Sequence, residues 1–236
     1  MRLFRFSGIQ VSVHWSWLIA GAYIIENRRE NYSSLAWNVA EYVALFAIVL
    51  LHEFGHAFAC RQVGGRADSI VLWPLGGVAY VAPPQRPGAQ LWSIAAGPLV
   101  NVALIPVFYL LVQWSGAFGP WYILSNSDRF LRALFETNLV ILLFNIFPVY
   151  PLDGGQMLRS VLWYGIGPIR SLKAATFIGF IGAGLFGLYA LKQQDLWLGV
   201  MALFLFMNCR SGWLQAKAWS EYERTNGPIS SPRNRP

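Results

Sequence analysis

The chain has 236 residues, of which 56% are hydrophobic and only 12% are charged, and its mean hydropathy is +0.43. Soluble domains carry about 25% charged residues, so this composition excludes an ordinary soluble domain and indicates a membrane protein. The net charge of +7 does not indicate nucleic-acid binding, because the Lys and Arg residues lie between apolar runs. Cys60 and Cys209 lie in or beside apolar segments and do not make a disulfide framework.

The first apolar run covers residues 9–25 and ends at the polar cluster 26–30. The charged segment from Met1 to Arg5 resembles the start of a signal peptide. No small-residue cleavage site follows the run, so we predict a retained first transmembrane helix. His14 lies near its beginning, and we interpret it as an interfacial side chain among aromatic anchors rather than as a metal ligand.

The second apolar run, residues 39–59, contains a His-Glu-x-x-His motif. Helical positions four apart lie on one face, so His52 and His56 can bind one metal ion. Glu53 would lie beside that metal as a general base, which is the layout of a zinc hydrolase. Ionisable side chains are costly inside a membrane, so we prefer this interpretation to a satisfied polar pair in a soluble core helix. Cys60 is interpreted as a small buried residue rather than a spare ligand.

Residues 70–81 form a shorter apolar stretch that is broken by Pro74 and by the pair Gly76-Gly77. β-prone residues on both sides of such a break predict a β-hairpin or a re-entrant loop. Exposed hairpin backbone cannot face lipid, so this segment is expected to line a protein-walled or wet cavity.

Four further apolar runs predict transmembrane helices three to six, over residues 91–113, 130–147, 169–190 and 196–214. Polar residues 220–236 follow and are predicted to be a disordered cytoplasmic tail. The remaining residues, 1–219, are predicted to form one membrane domain.

Small and polar residues inside two of these runs indicate contacts between helices. The small residues 95–98 in the third run, followed by Asn101, would permit close helix contact. In the fourth run, Glu136 and Asn138 either face a channel or make interhelical hydrogen bonds, and the sequence leaves both alternatives open.

The distribution of positive charge predicts the orientation in the cell membrane. With a cytoplasmic N-terminus and six helices, thirteen of the eighteen Lys and Arg residues fall on cytoplasmic segments. The positive-inside rule therefore places both termini in the cytoplasm. His52 then lies about 7 residues from the inner end of its helix, a depth of about 10 Å, so water needs a polar channel to reach it.

Catalytic zinc usually has three protein ligands and an open position for water, so a third ligand is required. The best candidate is Asp153, which follows the prolines that end the fourth run and precedes Gly154-Gly155. The predicted topology places it near the cytoplasmic side, as it does His52. An alternative role as the N-cap of a short helix over residues 155–163 stays open.

Together these motifs resemble the site-2 protease family of intramembrane zinc metalloproteases. The resemblance rests on the motif at residues 52–56 and on Asn-x-x-Pro-x-x-Pro-Leu-Asp-Gly-Gly at residues 145–155. The glycine pair 76–77 and the Ala-Gly-Pro at residues 96–98 also match, and the likeness covers residues 9–214. Six helices with the zinc motif in the second are similar to the sporulation-factor branch. Only about twenty polar residues follow the last helix, so no CBS domain is expected there. No PDZ-like insertion is expected either.

The resemblance implies an all-α polytopic membrane protein with six transmembrane helices and a short membrane-associated β-hairpin or re-entrant loop after the second. It implies one zinc ion, with His52, His56 and Asp153 as ligands and Glu53 as the catalytic base. The implied substrate-binding residues are Asn145, which would place the peptide or hold the oxyanion, and Gly76 and Gly77, which would guide the substrate strand.

The expected activity is cleavage of a peptide bond within or beside the transmembrane segment of a single-span membrane protein in the lipid bilayer. By family analogy, the substrate is an anti-sigma factor, a membrane-bound transcription factor precursor or a signal-peptide remnant. No nucleic acid is expected as a partner, and a homo-oligomer is left open. The alternative is a metal transporter or a metal-sensing membrane protein, which would spread its ligands along several helices. An inactive peptide-binding scaffold would show a damaged base or ligand, and the sequence shows neither.

Overall fold

A computed structural model describes residues 1–73 and 76–226 of the chain. These residues form six α-helices and a small β-sheet. The strands are β1 Arg2–Phe6, β2 Ile9–Val13, β3 Arg66–Trp73 and β4 Gly76–Ala82. The helices are α1 Ser16–Asn27, α2 Leu35–Gln62, α3 Pro87–Ser115, α4 Asn126–Ile146, α5 Asp153–Gln193 and α6 Leu196–Asn226. The chain divides into two compact units, the first made of Met1–Ala82 and Ala96–Phe144 and the second of Pro83–Ala95 and the chain from Asn145 onward.

Within the described residues, four helices are long and apolar enough to cross a membrane, namely α2, α3, α5 and α6. Helix α2 has 28 residues, which is a length of about 42 Å and exceeds the roughly 30 Å of a bilayer core. The predicted count of six stays a prediction. Helix α1 has only 12 residues, and the 21 residues of α4 include four ionisable side chains in its first three turns.

The predicted first transmembrane helix is wrong in its first part, because Ile9–Val13 is strand β2. Strands β1 and β2 form an antiparallel hairpin whose two-residue turn, Ser7-Gly8, has φ angles of 48° and 77°. Ile9 and Val11 are fully buried, whereas the residues between and after them are partly exposed. This period-two pattern is the strand signal that the search for long apolar runs missed. The expected all-α class is thereby corrected to a mostly helical fold with a small sheet.

The four strands form one sheet in the order β1-β2-β3-β4. Strands β2 and β3 run parallel, and β3 pairs antiparallel with β4, with Leu72 opposite Gly77 and Trp73 opposite Gly76. These paired strands correspond to the two β-prone runs that the sequence predicts, although Gly76 and Gly77 lie within β4 and not between the strands. Pro74 lies outside the described residues, and the membrane association of this segment stays a prediction.

The sheet packs against α2 and forms the core of the first unit. Ile9, Ile70 and Leu72 are fully buried and cluster with Trp17 and with Ala57 of α2. Helix α2 ends at Gln62, and Gly64 follows with a φ of 85°, the left-handed conformation in which glycine commonly terminates a helix. The sheet is therefore fixed against the C-terminal half of α2, which is the half that carries the His-Glu-x-x-His motif.

In the second unit, α5 consists of two helical segments that join at Gly167, where φ is 81° and ψ is 170°, just before Pro168. These segments correspond to the short helix and the fifth transmembrane helix that the sequence predicts. A Cβ at Gly182 would lie 2.3 Å from Val149 Cγ2, and one at Gly179 would lie 2.9 Å from the carbonyl oxygen of Tyr150. The glycines of α5 therefore let the segment that follows α4 pack directly against the helix.

Helix α6 continues to Asn226, so the predicted disorder does not begin at Ser220. Residues 227–236, the remainder of the predicted tail, lie outside the described residues.

Candidate metal centre

His52 and His56 lie one turn apart on α2 and turn the same ring nitrogen toward a common point. Their Nε2 atoms are 3.0 Å apart, and the side chains are only 4% and 8% exposed. Two Zn–N bonds of about 2.0–2.1 Å at a tetrahedral angle place their nitrogens about 3.3 Å apart. The pair is therefore already spaced as two ligands of a single zinc ion.

Gly97 of α3 makes room for this pair. A Cβ at residue 97 would lie 2.3 Å from His56 Nε2 and 2.8 Å from His52 Nε2. A Cβ at Gly55 of α2 would lie 2.6 Å from the carbonyl oxygen of Ala96, so the two helices touch through their backbones. The small residues of α3 thus serve the close helix contact that the sequence predicts. They also leave space beside the nitrogens, which a metal centre requires.

His52 is oriented from its other ring nitrogen. Its Nδ1 lies 2.6 Å from Asn101 Oδ1, and Asn101 Nδ2 donates to Asn138 Oδ1 at 2.8 Å. Asn138 Nδ2 in turn donates to the carbonyl oxygen of Asn101 at 2.9 Å. Of the two alternatives for Asn138, interhelical hydrogen bonding is therefore correct. Asn101 was predicted only as part of a close helix contact, so its role beside His52 was missed.

Glu53 is buried, with 6% exposure, and touches strand β4. Its Oε2 accepts a hydrogen bond of 3.0 Å from the backbone N–H of Ala79. Strand β4 is the last in the sheet order and contains both Gly76 and Gly77. The first unit therefore places the predicted base and two predicted ligands close to the strand that is predicted to guide the substrate.

Asp153 and Asn145 belong to the second unit. Asp153 is the first residue of α5 and Leu152 holds the N-cap position, so Asp153 does not occupy the place that the capping alternative requires. A Cβ at Gly154 would lie 2.0 Å from the carbonyl oxygen of Ile146, and one at Gly155 would lie 2.3 Å from Tyr150 N. The glycine pair after Asp153 is thus needed where α5 begins against the preceding loop.

Asn145 is half-buried in the last turn of α4. Its predicted role toward the substrate stays a prediction, as does the role of Asp153 as the third ligand.

Three other polar residues singled out in the sequence have structural partners. His14 stacks on Trp73 with ring centroids 4.1 Å apart, which agrees with its interpretation among aromatic anchors. Glu136 pairs with Arg132 one turn earlier, at 2.7 Å. Cys60 is fully buried, and its thiol donates to the carbonyl oxygen of Arg66, as expected for a small buried residue.

The profile of Peptidase family M50 matches residues 40–120 and 122–188, which is more than half of the chain and includes His52, His56 and Asp153. The chain belongs to peptidase family M50. A zinc metalloprotease of Methanocaldococcus jannaschii is 32% identical to this M50 chain over 206 residues, covering 87% of the chain and 58% of the relative. Stage IV sporulation protein FB of Bacillus subtilis is 33% identical over 118 residues, covering 49% of the chain and 38% of that protein.

Among solved structures, the M50 chain resembles the site-2 protease from Methanocaldococcus jannaschii. The TM-score is 0.67 at 29% sequence identity, and the match covers 90% of this chain and 94% of that one. The predicted membership of the site-2 protease family is therefore confirmed. The chain spans less than two thirds of the length of the curated M. jannaschii relative.

The expected zinc cofactor is also confirmed, since the M50 chain has relatives that are named zinc metalloproteases. The side chains of the first unit fit this metal, because imidazoles are usual zinc ligands and the Nε2 atoms of His52 and His56 lie 3.0 Å apart. The family and the long apolar helices together indicate a multi-pass membrane protein of family M50.

Proposed function

We propose that this M50 chain is a zinc-dependent endopeptidase that cleaves a membrane protein within or beside its transmembrane segment. The observation that carries the proposal is the position of the motif. His52, Glu53 and His56 are buried in the C-terminal half of α2, a helix that is long and apolar enough to cross the bilayer. A hydrolytic site built there reaches peptide bonds that soluble proteases do not reach.

His52, His56 and Asp153 are proposed to hold one zinc ion. The alternative role for Asp153, an N-cap, has lost its main support because Leu152 occupies that position. Asp153 also lies in the first turn of α5, where the positive end of the helix dipole stabilises a carboxylate. When bound, zinc would polarise the scissile carbonyl and lower the pKa of a water toward about 7.

Glu53 is proposed to act as general base and then as general acid. It would accept a proton from the attacking water and deliver it to the leaving amine, so that the C–N bond breaks as the water oxygen bonds to the carbonyl carbon. The products are a carboxylic acid and an amine. The Ala79 N–H holds Glu53 Oε2 and so limits the rotation of the carboxylate.

The substrate is proposed to bind as an added strand along β4. Of the strands in the described residues, β4 pairs only with β3, so its other edge has no strand partner among them and could accept an extended peptide. The contact between Ala79 of β4 and Glu53 means that such a strand would run past the base. A helical segment must unwind to bind this way, so residues such as Gly, Pro or Asn near the cleavage point would favour cleavage.

The proposed substrates are single-span membrane proteins, with anti-sigma factors, transcription factor precursors and signal-peptide remnants as the classes that the family suggests. The surplus of Lys and Arg on alternate segments supports a site that opens toward the cytoplasm, with both termini on that side.

The experiment that tests the proposal is capture and cleavage in the same membrane. The Glu53→Gln protein is crosslinked to associated membrane proteins, which are identified by mass spectrometry and then offered to the wild-type protein in liposomes. We expect zinc-dependent cleavage inside or next to the transmembrane segment of a captured protein. Cleavage by the Glu53→Gln protein itself would contradict the mechanism. Zinc uptake into the same liposomes without any cleavage would favour the transporter alternative.

The third ligand has its own test. Asp153→Ala is expected to lower the zinc content of the purified protein, measured by elemental analysis, whereas Asp195→Ala, in the segment between α5 and α6, serves as the matched control. Unchanged zinc content in the Asp153→Ala protein would remove Asp153 from the ligand set.

A further inference from the structure

Three side chains of the first unit form a hydrogen-bonded relay that ends at His52. Asn138 of α4 bonds to Asn101 of α3, and Asn101 bonds to His52 Nδ1. Both asparagines are fully buried, and His52 is 4% exposed. Two buried amides inside apolar helices are costly unless they are satisfied and have a task.

The direction of every hydrogen bond in this relay follows from one atom. The main-chain carbonyl oxygen of Asn101 can only accept, so the side-chain atom of Asn138 that lies 2.9 Å from it must be the NH₂ group. The other amide atom of Asn138 is then its oxygen, and it must accept from the NH₂ group of Asn101. The remaining atom of Asn101, its side-chain oxygen, therefore faces His52.

An amide oxygen cannot donate, so His52 Nδ1 must carry the proton of the 2.6 Å hydrogen bond. A neutral imidazole with its proton on Nδ1 has a lone pair on Nε2. Nε2 is the atom that lies 3.0 Å from His56 Nε2, on the side where Gly97 leaves space. The opposite tautomer would place a proton where the metal has to bind.

We propose that Asn101 and Asn138 are positioning residues that set the tautomer and the ring orientation of His52 for zinc binding. Asn101 supplies the acceptor, and Asn138 keeps the amide of Asn101 from turning over. This proposal rests on the proposed function only in taking His52 as a zinc ligand. Because the amides are neutral, they orient the ligand without adding charge to a site that already contains the Glu53 carboxylate.

Zinc affinity is the first readout. We expect Asn101→Leu, which is nearly isosteric but cannot accept, to weaken zinc binding by about 10–100-fold in competition with a chromophoric chelator. Asn138→Leu should cause a smaller loss in the same direction, because Asn101 remains but can turn over. Asn101→Asp keeps an acceptor toward His52 and should bind zinc more tightly than Asn101→Leu. The matched control is Asn208→Leu in α6, whose amide, within the part of the chain that the structure describes, donates to the carbonyl oxygen of Phe204 in its own helix; it should leave zinc affinity unchanged.

The second readout is the tautomer itself, measured in the wild-type protein. The chain has three histidines, so ¹⁵N-histidine labelling gives three imidazole spectra, and His52→Ala assigns the one of interest. We expect the proton of His52 on Nδ1 in the zinc-free protein, where no metal holds Nε2, and a loss of this preference in the zinc-free Asn101→Leu protein. A proton on Nε2 of wild-type His52, or equal zinc affinity in the Asn101→Leu and Asn208→Leu proteins, would overturn the proposal.

If Asn101→Leu does not fold, the spectrum of wild-type His52 and the zinc affinity of Asn138→Leu still test the proposal. If His52→Ala binds zinc as tightly as wild type, the proposed metal site fails, whereas the tautomer measurement still tests the relay.

Discussion

Helix α2 carries two buried polar clusters, and they balance their polar groups in different ways. The Glu41 cluster consists of Arg28, Asn38 and Glu41, whereas the His52 cluster consists of His52, Glu53, His56 and Asn101. Glu41 forms an ion pair with Arg28, and Asn38 Nδ2 donates to the carbonyl oxygen of Arg28 at 2.5 Å. The charge of Glu41 is therefore matched by a neighbouring cation of the chain itself.

In the His52 cluster, two imidazole nitrogens of the same kind face each other at 3.0 Å, and a carboxylate lies one residue away along the helix. This arrangement supplies ligands and a base, and a divalent cation is its natural counter-charge. Burial of polar groups alone therefore does not identify a functional site. The charges of the groups and the directions in which their polar atoms point do identify it. A structural cluster is neutralised by its own residues, whereas a metal site is completed by its ion.

The largest expected effect separates the two buried carboxylates of α2. Glu53→Gln should reduce peptide cleavage by about 10²–10⁴-fold while zinc remains bound, because the general base is lost and the ligands are kept. The measurement is cleavage of a captured substrate in liposomes, together with zinc content. Glu41→Gln, an identical change at the other cluster, should retain cleavage per folded molecule. Equal losses in the two variants would erase the distinction between the clusters.

The next-largest effect is the dependence of thermal stability on zinc. Zinc at about 1,000 times its dissociation constant should stabilise the wild-type protein by about 4 kcal/mol, and a chelator should remove that gain in thermal unfolding. His56→Ala should unfold at the same temperature with and without chelator, because one ligand is missing. Arg28→Ala, in the Glu41 cluster, should keep the zinc-dependent shift. A chelator effect of normal size in the His56→Ala protein would argue against the proposed ligands.

A smaller effect tests the position of the metal beside Gly97. Gly97→Ala introduces a Cβ that would lie 2.3 Å from His56 Nε2, so the ring must move or the helices must part. We expect overpacking to destabilise the zinc-loaded protein by about 1–3 kcal/mol and to weaken zinc binding. Gly184→Ala in α5 is the matched control, since a Cβ there meets no atom within 4 Å, and it should be neutral or slightly stabilising. Zinc affinity as high in Gly97→Ala as in Gly184→Ala would contradict the assigned position of the metal.

The smallest effect is expected from the Glu41 cluster. Arg28→Ala leaves the buried carboxylate of Glu41 without its cation and should lower the free energy of unfolding by about 1–2 kcal/mol. Arg28 is half-exposed, so water replaces part of the lost interaction. Thermal unfolding at fixed zinc concentration measures the loss, and cleavage per folded molecule should be unchanged. A loss of zinc binding in this variant would mean that the two clusters are coupled.

The sequence predicted the parts of the site that depend on local spacing. His52 and His56 share a face because the helix repeat places positions four apart together, and Glu53 follows from the same motif. The small residues of α3 and the glycine pair after Asp153 were also identified, since close backbone contact requires residues without bulky side chains. The strands β1 and β2 were missed, because the period-two pattern of Ile9 and Val11 is short and lies next to an apolar helix.

By itself, the sequence determined the zinc chemistry, the family and the membrane setting, because these depend on residue types, their spacing along a helix and the overall apolar composition. Only the tertiary structure decided that Asn101 of α3 and Asn138 of α4 orient His52, and that Ala79 of β4 holds Glu53. Those partners lie between 26 and 49 residues apart in the chain. No local pattern indicates which distant amide will meet which ring nitrogen, since that is set by how the helices and the sheet pack against α2.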